Sequence, residues 1–186
     1  MKLDKPEELG FNTQRLKRIN AFMERYVEGG KVSGFVTLVA REGRIVYFDK
    51  CGYQDLASDT PMELDTIFRI YSMTKPITSL AFMMLVESGL VGLEDPLSRF
   101  IPQFKSVKVH GDDGQLMDLA REMTIYDLLI HTSGLSYGGF DDTGIPVDKL
   151  YDKSNLFDVN APLEELVARL AELPLAYQPG TVWHYS

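Results

Sequence analysis

Phe68-Arg69-Ile70-Tyr71-Ser72-Met73-Thr74-Lys75-Pro76-Ile77 is the stretch from which the rest of the chain is read. It opens a helix predicted from about Ser72 to Ser88. Ile77, Leu80, Ala81, Met84 and Leu85 recur at the i, i+3, i+4, i+7 and i+8 spacing of one helix face. Gly89 ends the pattern as a C-terminal glycine does. Pro76 is tolerated because it falls in the first turn, where few amides have an intrahelical partner. In that turn Ser72 and Lys75 stand three residues apart and are neighbours on the helix surface. A serine hydroxyl needs a base beside it to act as a nucleophile. Burial and the positive end of the helix dipole both disfavour a lysine's charge, which predicts a Lys75 amine able to serve as that base. The same residues also fit a capping serine beside a surface lysine, and Ser-x-x-Lys alone does not choose between the two.

Outside this stretch the bulk properties set bounds. The 186 residues are 45% hydrophobic, enough for one globular domain. A net charge of -8 leaves no basic footprint, so nucleic acid is not an expected partner. The single cysteine, Cys51, excludes an internal disulfide and points away from an oxidising compartment. The first ten residues, Met1 to Gly10, are charged and lack an apolar stretch of signal-peptide type. No run is long enough to span a membrane. A soluble cytoplasmic protein is the expectation. Nothing has metal-ligand spacing and no phosphate loop is present, so neither a metal nor a cofactor is expected.

Before the Ser72 helix, Asn12 is predicted to cap a helix from about Thr13 to Glu28, with Leu16, Ile19, Met23 and Tyr26 as its apolar stripe. Gly29-Gly30 stops it. Phe35 to Ala40 and Arg44 to Phe48, joined at Glu42-Gly43, read as an antiparallel hairpin. Their near-continuous apolarity predicts strands buried on both faces and covered by helices. Asp59-Thr60-Pro61 reads as a turn. After Gly89, a short helical piece runs from Leu97 to Ile101 and ends at Pro102. Residues 105–121 read as an exposed loop, with Gly111-Asp112-Asp113-Gly114 at a turn. Thr124 caps the next helix, Asp127 completing a weak capping box, with Ile125, Leu128 and Leu129 inward. Residues 136–160, rich in Gly, Asp and Asn, read as a surface insertion or lid. Asn160 is expected to cap a last helix with Leu163, Leu166, Val167 and Leu170 inward, and Pro174 ends it.

Three segments together resemble the serine β-lactamase and penicillin-binding protein superfamily. One signature of that superfamily is Ser-x-x-Lys, then Ser-Asp-Asn, then Lys-Thr-Gly. In the branch of class C β-lactamases, DD-peptidases and family VIII carboxylesterases, the second motif is Tyr-x-Asn. Ser72-Met73-Thr74-Lys75 matches the first motif. Leu128-Leu129-Ile130-His131-Thr132-Ser133-Gly134-Leu135 matches a structural segment of the branch. Pro179-Gly180-Thr181, followed by Tyr185-Ser186, matches the approach to the second motif. The third motif, Lys-Thr-Gly or a His/Trp-x-Gly counterpart, is not in this sequence. The resemblance runs from about residue 10 to 186 and is strongest to family VIII carboxylesterases.

The resemblance implies an α/β fold of the β-lactamase/transpeptidase type: an antiparallel sheet covered by helices, with an inserted helical subdomain, and with C-terminal strands that this chain lacks. Residues 1–60 would carry the N-terminal helix and hairpin, and residues 61–186 the helical subdomain. It implies Ser72 as nucleophile, Lys75 as its base partner, and Tyr185 sharing proton transfer. A phenol is a base only where a nearby ammonium favours its phenolate. The Ser72 amide would supply one oxyanion-hole donor, and the missing strand the second. Tyr185 beside Trp183 also fits plain core packing. Tyr137 is a candidate substrate-binding residue or an ordinary loop aromatic. His131 and His184 suggest a Ser-His pair but read as structural, because no acidic orienter is evident. The expected function is a serine hydrolase acting on short-chain esters through an acyl-enzyme. A β-lactamase or DD-peptidase on β-lactam or peptide substrates is the alternative, and a non-catalytic ligand- or partner-binding relative another. As given, the chain is expected to be an inactive piece unless a second polypeptide or C-terminal segment completes its sheet.

Overall fold

The computed structural model describes residues 2–111, 113–139 and 144–186. The chain forms two compact units, one ending at Tyr71 and the other beginning at Ser72.

In the first unit, helix α1 (Thr13–Glu28) starts where Asn12 Oδ1 accepts the Arg15 amide at 3.0 Å. Gly29 and the left-handed Gly30 end it. Strands β1 (Gly34–Arg41) and β2 (Arg44–Asp55) pair antiparallel through a turn in which Glu42 and Gly43 both have positive φ. Such a turn matches the twist of its strands. A bulge lies between Val39 and Ala40. β2 runs seven residues beyond the predicted end at Phe48, and β3 (Thr60–Pro61) pairs with its far end, where the sequence reads only a turn. Leu9, Leu16 and Val46 form the core between α1 and the sheet. The strands are not buried on both faces. Val46 is buried but Leu38 is 47% exposed, so apolarity marks the strands and not their cover.

In the second unit, a 3-10 turn (Tyr71–Met73) leads into α2 (Thr74–Glu87), and Gly89 follows in the left-handed region. The helix lies where it is predicted, but its apolar face is not buried: Ile77, Leu80 and Met84 are 61%, 68% and 61% exposed. The core lies elsewhere. Leu97, Phe104, Val107, Val109, Met123, Ile125, Leu135 and Leu175 form it. Two 3-10 turns, Leu97–Arg99 and Pro102–Ser106, feed it Leu97 and Phe104. Residues 105–121 are more than a loop. β4 (Val109–His110) and β5 (Leu116–Met117) pair as a hairpin, and Leu175 runs beside β4, its amide donating to the Lys108 carbonyl. Asp112 of the predicted turn lies outside the described residues.

Among the described residues the remaining α-helices are α3 (Ile125–Leu129), α4 (Asp148–Lys153) and α5 (Leu163–Ala171). α3 carries the predicted capping box of Thr124 and Asp127. Residues 136–160 are no plain surface insertion. Residues 140–143 fall outside the described set, but Val147, Tyr151 and Leu156 make a small core of their own. α5 starts at Leu163, behind Pro162, and not from an Asn160 cap. The Asn160 amide donates to Asp158 Oδ1 instead, and Leu163 is 75% exposed. Among the described residues no helix is long and apolar enough to cross a membrane.

Candidate active site

The site is built from the first turn of α2 and two segments that return to it. Tyr71, immediately before Ser72, has φ +44, a left-handed conformation that is uncommon and costly for a bulky residue. The turn it makes leaves Ser72 exposed, and Ser72 is not the helix cap, because Met73 holds that position. Among the described residues Ser72 Oγ makes no hydrogen bond. Lys75 is half-buried in the first turn, one residue before Pro76.

The second part is the pairing of residues 131–134 with residues 176–184. The Ala176 amide donates to the Gly134 carbonyl at 2.7 Å, the Gly180 amide to Thr132 at 2.8 Å, and the His184 amide to His131 at 2.9 Å. Two glycines make this approach possible. Gly134 has φ +85, and a Cβ there would lie 2.1 Å from the Tyr177 carbonyl oxygen. Gly180 has φ +82, and a Cβ there would lie 2.0 Å from Arg121 Nη2. That guanidinium is committed to Asp127, giving Nη1–Oδ2 at 2.6 Å and Nη2–Oδ1 at 2.8 Å. The pair at the start of α3 therefore packs against Gly180 of the loop that delivers Tyr185.

These segments bring Lys75, Tyr137 and Tyr185 together. Lys75 Nζ donates to Tyr137 Oη at 2.9 Å. It also lies 4.6 Å from the centre of the Tyr185 ring and 5.5 Å from that of Tyr137. A cation over a ring face is attracted by the ring quadrupole. The two tyrosine rings stack at 5.8 Å, and Phe157 also stacks with Tyr137 at 6.0 Å, nearly parallel at 4°. Tyr185 also packs on His131 at 4.6 Å and on Trp183 at 6.5 Å. His131 Nδ1 lies 3.1 Å from the Ser186 carbonyl oxygen, and the His184 ring meets Tyr177 edge-on.

The charge state of Lys75 differs from the sequence expectation. The Tyr137 phenol oxygen raises its pKa above the ordinary lysine value. Partial loss of hydration opposes this, and Tyr185 adds to it. The side chain is too little buried for desolvation to win. Lys75 is thus an ammonium at neutral pH in the free protein, and the lowered lysine pKa read from burial and the helix dipole is not found. Phe157, Arg121 and the carboxylates of α4 near Tyr137 were not singled out from sequence. Phe157 sits in a run of turn-forming residues, and Arg121 is six residues from Asp127, a spacing with no helical meaning.

A family model described as beta-lactamase matches residues 19–186. The chain is 38% identical over 170 residues to protein Rv1367c of Mycobacterium tuberculosis, covering 89% of this chain and 41% of that one. It is 35% identical over 169 residues to esterase EstB of Burkholderia gladioli, covering 91% of this chain and 41% of EstB. Among solved structures it is similar to EstCE1, a hydrolase with promiscuous acyltransferase activity. The TM-score is 0.77 at 32% identity, over 93% of this chain and 44% of EstCE1. The chain spans about two fifths of the length of the curated relatives it matches.

Proposed function

Because this chain belongs to the beta-lactamase family, we propose that the protein is a serine hydrolase that cleaves short-chain carboxylic esters through an acyl-enzyme on Ser72. The observation that carries the reading is the Lys75 ammonium, held by Tyr137 Oη and the Tyr185 ring one helical turn from an exposed serine on a strained turn. Ser72 Oγ attacks the substrate carbonyl and loses its proton. Tyr185 takes that proton as a phenolate, which the adjacent ammonium favours. The proton then passes to the departing alkoxide, and water releases the acid by the same route. The name of esterase EstB supports an ester over a β-lactam as substrate.

A fluorophosphonate or p-nitrophenyl butyrate should add mass to Ser72 and to no other serine. Ser72→Ala should lower hydrolysis at least about 1000-fold. Equal labelling of Ser72→Ala overturns the nucleophile. A higher kcat/KM for nitrocefin than for p-nitrophenyl butyrate moves the protein to β-lactam hydrolysis.

A further inference from the structure

If Ser72 is acylated as proposed above, Lys75 must stay in one place and one charge state while protons move beside it. A lysine side chain has four rotatable bonds and three N–H donors, so something has to hold it. The structure offers a built holder. Tyr137 lies on a loop that helix α4 fixes at neighbouring points. Ser136 Oγ donates to Asp148 Oδ1 at 2.5 Å and accepts the Gly138 amide at 3.0 Å. The Gly139 amide donates to Asp152 Oδ1 at 2.8 Å. Ser136 and Asp148 are both buried. Gly138, at φ +77, has no room for a side chain, since a Cβ would meet Asp152 Oδ1 at 2.6 Å. The Tyr137 ring also stacks with both Phe157 and Tyr185. A side chain this constrained presents its oxygen at a fixed point, which is what preorganisation needs.

We propose that Tyr137 is a positioning residue: its phenol oxygen holds the Lys75 ammonium against the Tyr185 ring, leaving Tyr185 to carry the proton to and from Ser72. This differs from a pocket aromatic that touches substrate. A substrate contact removed shows in KM, whereas a misplaced Lys75 shows in kcat and in its own titration.

The test uses the purified protein with lysine labelled at 13Cε. Tyr137→Phe keeps the ring and its stacking and deletes only the acceptor. In the Ser72→Ala background, where nothing turns over, the Lys75 13Cε titration should move to lower pH when Tyr137→Phe is added. With Ser72 present, Tyr137→Phe should lower kcat about tenfold, the loss of one ordinary hydrogen bond, with KM little changed. An unmoved Lys75 titration, or a loss confined to KM, overturns the proposal. A second measurement needs no substitution. The Lys75 ε-methylene protons should lie upfield of ordinary lysines because the ammonium is held against the Tyr185 ring, 4.6 Å from its centre, and an ordinary position also overturns it. These outcomes are separable from the serine reading. If Ser72→Ala retains full hydrolysis that reading fails, while the Lys75 titration still reports on Tyr137.

Discussion

Asp127 and Lys75 are both charged groups in the first turn of a helix, and their surroundings treat them in opposite ways. Asp127 is 2% exposed. Its carboxylate accepts two bonds from Arg121, the amide and hydroxyl of Thr124, and the Thr132 hydroxyl at 3.1 Å. Each of its oxygens has more than one donor, so the group is spent on structure. Lys75 is half-buried, and its ammonium meets the Tyr137 phenol oxygen and the Tyr185 side chain. Such a group is only partly enclosed and stands one helical turn from an exposed serine. A charge whose partners saturate it is a clamp, and one only partly engaged can act as a reagent. The difference comes from the number of donors within reach, not from the helix start, which the two share.

The largest expected effect separates the two directly. Asp127→Ala should cost about 3 kcal/mol in urea denaturation, because it removes the carboxylate half of the capping box and leaves the Arg121 guanidinium without its carboxylate. Lys75→Met should change stability by no more than about 0.5 kcal/mol. The same substitution should lower ester hydrolysis by roughly 100- to 10,000-fold. If Lys75→Met destabilises as much as Asp127→Ala, Lys75 is a clamp as well and the distinction fails.

Acid sharpens the same contrast by a smaller amount. Burial pushes Asp127 up, but the bonds from Arg121, Thr124 and Thr132 outweigh it and hold the carboxyl at about 2, below its ordinary 3.8. A carboxylate whose folded pKa is depressed stabilises the fold above the unfolded value. That stability is lost as pH falls from about 4 through about 2. The difference corresponds to about 2 kcal/mol, seen as a falling urea midpoint over that window. Asp127→Asn cannot titrate, so its acid limb should be shallower. A limb as steep as in the unsubstituted protein would assign the acid loss to other carboxylates.

Much of this was legible in the sequence, and the parts that were not share a cause. The helix Thr13–Glu28, its Asn12 cap and the Glu42-Gly43 hairpin follow from local chemistry and stand where read. So does the capping box of Thr124 and Asp127. Local rules do not reach across the chain. The β4–β5 hairpin is two residues a side, too short for an alternating pattern to register. The Lys75–Tyr137 bond spans 62 positions. Nothing in the spacing of Ser72 and Lys75 reveals that the lysine turns to a phenol oxygen and keeps its proton. Asn160 misled because a capping residue two positions early is as plausible locally as the Pro162 start that forms.

The smallest expected effect concerns the face of α2 that the sequence marks most strongly as core. Periodicity shows which side of a helix is apolar, and it cannot show what covers that side. No residue of α2 is buried, and Leu80 at 68% exposure stands at the centre of the stripe. Leu80→Ala therefore removes little surface from contact, and alanine is the slightly better helix former. The two terms oppose each other, so the unfolding free energy from urea denaturation should change by less than about 0.5 kcal/mol. A loss of about 2 kcal/mol or more is what a covered leucine gives. That result would show α2 to be packed in solution after all, and would make the burial read from its pattern right. Repeating the melt at two protein concentrations identifies the cover: a midpoint that rises with concentration assigns it to a second copy of the chain. A midpoint that does not rise assigns it to the chain's own residues.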